Sequence, residues 1–157
     1  QIYEKGENPI ILVLDGVTDV RNFGAIARTA ECAGVDTILI PEQSAAAINS
    51  DAVKTSAGAL YKIPICRTWN LKMSLQFLKD SGLQLVSCTE KTTKSLYEPD
   101  FNNPTAIIMG SEEDGVSPEY LKMSDFKVKI PMNGKISSLN VSVASAIIIY
   151  EAIRQRG

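Results

Sequence analysis

The stretch IPMNGKISSLNVSVASA at 130–146 places Ser138 and Asn140 directly against a long apolar helical run. Ser and Asn compete with the backbone for hydrogen bonds, so they are disfavoured inside helices and favoured in the first turn. Taken alone they read first as caps, and second as an uncharged polar cluster within reach of a ligand. A second candidate is Arg28, in the otherwise small and apolar run GAIARTAECAG, where a guanidinium needs a partner or a ligand. Asn22 lies just before that run and on its own reads as a turn or capping residue. A third segment, GSEEDG at 110–115, holds Glu112 beside two further acids, between glycines of the kind that punctuate loops. The chain has no histidine, which excludes a Ser-His-Asp triad and removes the commonest zinc ligand. Cys32, Cys66 and Cys88 lack CxxC spacing, so no metal is expected and all three read as small buried hydrophobes in a reducing compartment.

These residues need elements that position them. β-Branched and aliphatic runs predict strands at 10–14, 37–40, 63–67, 83–88, 105–109 and 126–130. Helical patterns alternate with them at 24–33, within 50–60, and at 71–80, 118–123 and 139–156. That alternation predicts an α/β fold, a mainly parallel sheet with helices on both faces. The segments with Asn22, Glu112 and Asn140 each follow a strand, at the carboxyl ends where open α/β sheets hold ligands. A length of 157 residues is that of one ordinary domain. No run of 18 apolar residues and no signal-peptide pattern occurs, so the expectation is a cytoplasmic protein with no membrane partner.

Three segments, LDGVTDVRNFGAIARTAECAG, IIMGSEEDGVS and the 130–146 stretch, together resemble the three motifs of the SpoU-type RNA ribose 2'-O-methyltransferases of the SPOUT superfamily. The matching positions are Asn22, Gly24 and Arg28, then Gly110, Glu112 and Gly115, then Pro131, Ser138, Leu139 and Asn140. The likeness spans about Ile10 to Arg156; Ser111 departs from it, since relatives usually carry Asn or Ala there. The resemblance implies an α/β trefoil knot, which nothing in the periodicity indicates. It implies S-adenosyl-L-methionine (AdoMet) as cofactor, in a pocket lined by Thr89, Gly110, Ile130, Met132 and Leu139. Glycine would let the main chain approach the adenosine closely, so Gly110→Val is expected to abolish binding without unfolding the domain. The implied catalytic residues are Asn22, Arg28, Glu112, Ser138 and Asn140. Ser138 and Asn140 would orient the ribose or the arginine, and Glu112 would orient Asn22 or Arg28. Arg28 would hold a phosphate or stabilise the emerging alkoxide, since a guanidinium does not deprotonate under ordinary conditions.

The implied reaction is methyl transfer from AdoMet to a ribose 2'-hydroxyl of RNA, with a guanosine in 23S rRNA as the expected target. A tRNA 2'-O-methyltransferase, a catalytically silent RNA-binding ribosome-assembly factor and a flavodoxin-like nucleotide-binding module are the alternatives. RNA normally calls for excess positive charge, yet the formal charge is −2, so either another domain supplies it or a local basic face does. Arg21, Arg28, Lys54, Lys129, Lys135, Arg154 and Arg156 are its candidates. Residues 1–9 read as a lead-in, the end of a linker, and 10–157 as the catalytic domain. The last helix is apolar around more than the usual third of its surface, which predicts a homodimer unless the first helix covers it. Ile148→Glu is expected to yield monomers or aggregates.

Overall fold

The computed structural model describes residues 8–42, 54–136 and 138–157. Its strands are β1 (Ile10–Asp15), β2 (Thr37–Pro41), β3 (Ile65–Thr68), β4 (Gln84–Cys88), β5 (Thr105–Gly110) and β6 (Phe126–Val128). They form one sheet in the order β3-β2-β1-β5-β4-β6, and every pairing is parallel. Helices α1 (Val20–Ala33) and α4 (Val141–Arg156) cover one face; α2 (Leu71–Asp80) and α3 (Pro118–Met123) cover the other. Strand alternation explains the division, because Leu12 and Leu14 pack toward α1 and α4 while Val13 packs toward Leu71 and Leu75. All six residues of β5 are buried, as a central strand covered on both faces requires. The helix expected within 50–60 lies partly outside the described residues, and the described part ends in a 3-10 turn at Ala59–Tyr61.

Two helix starts matter for the site. α1 begins at Val20, four residues before its apolar pattern, because the Asp19 carboxylate accepts from Arg21 N–H (2.9 Å) and Asn22 N–H (3.0 Å). Asp19 is thus the cap, and the Asn22 side chain is left for other work. α4 begins at Val141 because Asn140 caps it, its Oδ1 accepting from Ser142 N–H at 2.9 Å. Between β1 and β5 the chain turns in opposite directions, from β1 toward β2 and from β5 toward the β6 edge. Loops that diverge from adjacent strands open a crevice at the carboxyl ends, the usual ligand position in open α/β sheets.

α1 covers much of the apolar surface of α4: Phe23, Ala27 and Ala30 share one core with Ile148, Ile149 and Ala152. Ile148 is 0% exposed, so Ile148→Glu would put a charge in the core and report on folding rather than association. What remains outside is a stripe at Val143, Ile147 and Tyr150, with Val143 and Tyr150 each 47% exposed.

The end of α4 holds the loop between β4 and β5. Gln155 Oε1 accepts from Phe101 N–H (2.8 Å), and Arg156 Nε donates to the Phe101 carbonyl (2.7 Å). Arg154 donates to Glu151 at 2.7 Å, and this hydrogen bond holds the buried Glu151 carboxyl below its ordinary range. Arg154 and Arg156 therefore serve the fold rather than a basic face. The cysteines also differ from expectation: Cys32 and Cys66 are exposed and Cys88 is half-buried.

Candidate active site

The segments that follow β4, β5 and β6 enclose a hollow with the start of α4. Thr89, Gly110, Ile130, Met132 and Leu139, the residues expected to hold a cofactor, all line it, as does Ser138. Its inner wall is apolar, from Met109, Ile130, Leu139 and Ala144. Its polar lining carries both signs, with Glu90 and the acids of 112–114 against Lys91 and Lys129.

A tight turn forms the wall nearest β1. Gly115 N–H donates to the Ser111 carbonyl (2.9 Å), Asp114 N–H donates to Ser111 Oγ (3.0 Å), and Gly115 sits at φ +68°. Ser111 thus closes the turn, a role its sequence position did not suggest. A Cβ at Gly110 would lie 2.0 Å from the Gly115 carbonyl carbon and 2.2 Å from Val116 N, so the glycine is required by the protein's own turn. This corrects the expectation for Gly110→Val, because any side chain at this position collides with backbone. Even Gly110→Ala should cost about 3 kcal/mol, read as a fall in thermal unfolding midpoint. An unchanged midpoint would show that the turn shifts freely.

Across the same turn lies a second hollow, bounded by Gly16, Thr18, Asp19 and Asn22 together with Ser111, the acids of 112–114 and Val141. Three segments meet between the two hollows. Asn140 Nδ2 donates to Glu112 Oε1 (2.8 Å) and to Asn22 Oδ1 (3.2 Å), and Val141 N–H donates to the same Glu112 oxygen (3.1 Å). The Glu112 carboxylate therefore sits on the first N–H of α4, where the helix dipole favours an anion. Its partner is Asn140, not Arg28. Ser142, which sequence reasoning did not single out, donates both its hydroxyl and its N–H to Asn140 Oδ1, so the Asn140 amide is held at both ends. The signal available in sequence was a hydroxyl two positions after a cap.

Arg28 stands apart. It is exposed, lines neither hollow, and has no ion pair or side-chain hydrogen bond among the described residues. Six residues beyond Asn22, it lies about 9 Å further along α1 and about a third of a turn around it.

Cys88 lines the first hollow, and burial together with the Glu90 charge pushes its thiol up to about 11. It stays protonated at neutral pH and offers no nucleophile. Iodoacetamide at pH 8 is expected to label the exposed Cys32 and Cys66 at least about 100-fold faster than Cys88, measured by peptide mass. Equal rates would mean that the hollow opens in solution.

Taken together, a parallel sheet with loops diverging over a hollow with an apolar inner wall, and Asn22, Glu112 and Asn140 bonded to one another beside it, defines an α/β domain with room for a small ligand next to a polar cluster. Residues 9–150 match the SpoU rRNA Methylase family, and the chain belongs to that family. It is 41% identical over 155 residues to the 23S rRNA (guanosine-2'-O-)-methyltransferase RlmB of Photobacterium profundum, spanning 99% of this chain and 63% of that protein. The crystal structure of the A. aeolicus TrmH/SpoU tRNA modifying enzyme superposes with a TM-score of 0.88 at 37% identity, covering 96% of this chain and 76% of that one. The SpoU methyltransferase AviRb from Streptomyces viridochromogenes, in complex with the cofactor AdoMet, superposes with a TM-score of 0.88 at 29% identity, over 96% of this chain and 61% of that one.

Proposed function

We propose that this chain binds AdoMet in the hollow between Thr89, Gly110, Ile130 and Leu139 and methylates a ribose 2'-hydroxyl of RNA, with a guanosine of 23S rRNA as target. The observation that carries the reading is the meeting of Asn22, Glu112 and Asn140 at the wall between the two hollows. The lining fits the cofactor's chemistry: an apolar wall suits an adenine ring, carboxylates suit a sulfonium or ammonium, and Lys91 and Lys129 suit a carboxylate. When bound, AdoMet supplies an activated methyl group, so the chain needs no nucleophile of its own. Asn140, held by Ser142 and Glu112, and Asn22 beside it orient the ribose hydroxyl. Ser138 faces the same hollow. Positioning of this kind supplies roughly 7 to 11 kcal/mol, more than general acid or base help. Arg28 holds a neighbouring phosphate or stabilises charge on the 2'-oxygen, and the hydroxyl proton passes to solvent.

Arg28 lies outside the trio within one chain, which supports a two-fold homodimer in which a second copy or the bound RNA completes the site. The exposed stripe of α4 is the surface for it. Val143→Glu combined with Tyr150→Glu should convert a dimer to monomers with the unfolding midpoint nearly unchanged, by analytical ultracentrifugation. A wild-type monomer at micromolar concentration would refute the dimer.

Residues from Ile10 onward form the catalytic domain in this reading. The trefoil knot of the resemblance is supported by the way the β4–β5 loop is bonded both to Lys129 after β6 and to the far end of α4. Among the described residues no helix is long and apolar enough to cross a membrane; a ribosomal RNA substrate is what supports a cytoplasmic location in this reading. The likeness to a tRNA modifying enzyme sustains tRNA as the second reading. Calorimetry with AdoMet, FMN and NAD tests the cofactor, and mapping of ribose methylation on 23S rRNA and tRNA from cells lacking the gene tests the substrate. Binding of FMN in place of AdoMet would replace this reading with a flavodoxin-like module.

A further inference from the structure

Four lysines lie at the outer edge of the sheet beside the first hollow with no ion pair among the described residues. Lys127 lies on the edge strand β6 and Lys129 just beyond it, and strand alternation sends both side chains to the same side. The main chain of Lys129 pairs with the loop after β4, donating to the Lys94 carbonyl (2.9 Å) and accepting from Leu96 N–H (3.0 Å). That pairing makes Ser95 the partner of Lys129 and sets Lys94 on the same edge but facing its other side, while Lys91 and Lys129 line the hollow together. Lys91, Lys94 and Lys127 are exposed, and none of the four makes an ion pair among the described residues. Nearby acids are engaged elsewhere: Glu98 accepts from Ser95 N–H (2.8 Å), and Asp125 pairs with Lys79 (3.7 Å) and accepts from Leu85 N–H (2.8 Å). Glu90 lines the hollow on the lysine side, and Glu112, Glu113 and Asp114 line it as well. Four ammonium groups on one edge of a chain with formal charge −2 form a local positive field that an external anion would neutralise.

We infer that this edge is a track for the phosphodiester backbone of RNA, leading the strand past the mouth of the cofactor hollow; the inference rests on RNA being the substrate, as proposed above. The opposite approach is unfavourable, because the second hollow adds Asp19 to the shared acids of 112–114 and has no lysine or arginine in its lining, whereas Lys91 and Lys129 offset those acids in the first. The backbone therefore enters from the lysine side, and the uncharged sugar face meets Asn22 and Asn140.

Lys94 and Lys127 do not line the hollow, so their replacement separates RNA from cofactor binding. In the full chain, Lys94→Gln with Lys127→Gln should weaken binding of a single-stranded RNA oligonucleotide by about 10-fold near 0.1 M salt. The slope of log affinity against log salt should fall in magnitude by about 1.4, or about 0.7 for each lost phosphate contact. AdoMet affinity and the unfolding midpoint should not change, and Lys94→Arg with Lys127→Arg should restore both affinity and slope. Equal affinity and slope in wild type and the Gln variant would overturn the track. So would a loss of binding to anionic phospholipid vesicles with RNA binding intact, which would assign the edge to a membrane. Wild-type protein that methylates no RNA counts against the functional reading, whereas the salt slope decides the track by itself.

Discussion

Arg28→Ala is expected to slow methyl transfer by about 100- to 1000-fold while leaving AdoMet affinity within a factor of two or so. The two effects separate because Arg28 lies outside the hollow lined by Thr89, Gly110, Ile130 and Leu139. Its loss therefore falls on the reacting ribose and its phosphate, and on charge that exists only in the transition state. Arg28→Lys should be nearly as harmful, since an ammonium keeps the charge and loses the planar fork that pairs with two phosphate oxygens. Single-turnover transfer to rRNA, with cofactor affinity by calorimetry, measures both quantities. Transfer at the wild-type rate in Arg28→Ala would make this arginine a solvated helix residue and end its proposed role.

Glu112→Ala should reduce transfer by about 100-fold, although the carboxylate need not touch either reactant. One Glu112 oxygen accepts from both Asn140 Nδ2 (2.8 Å) and Val141 N–H (3.1 Å), so its removal frees the amide that meets Asn22. Glu112 is exposed, so the stability loss should stay near 1 kcal/mol, the scale of a lost helix cap. Glu112→Gln separates charge from geometry: its carbonyl oxygen can accept the same two hydrogen bonds without an anion at the helix end. Recovery to within about 10-fold of wild type would identify a positioning residue. A Gln variant as inactive as Ala would instead assign the effect to the negative charge, and unaltered transfer in Glu112→Ala would remove the trio from the mechanism.

Local pattern carried a large part of the fold. Each of the six strands lies where an aliphatic run predicted it, because period-2 and continuous apolar patterns are written within a few residues. Of the residues proposed to hold the cofactor, Gly110 and Leu139 are motif positions, Ile130 and Met132 flank one, and Thr89 came from the resemblance alone; the parallel sheet brings their loops to one edge. What failed were judgements that depended on distant partners. α1 starts at Val20 because Asp19 caps it, whereas the apolar pattern begins later. Gly110→Val suggested a change the fold would tolerate, and the Gly115 backbone lies where its Cβ would stand. Ile148 suggested an interface and is covered by α1.

The sequence by itself determined the elements, their alternation and the residue types able to bind a cofactor and a ribose. The tertiary structure alone decided that Asn140 bonds to Asn22, 118 positions away, and to Glu112, 28 positions away, and that Arg28 bonds to none of them. Periodicity records which face of an element meets the core, and it holds no record of which element arrives there. A hydrogen bond depends on the angles and distances of two side chains brought together from separate strands, so its partners become definite only when the sheet order is set.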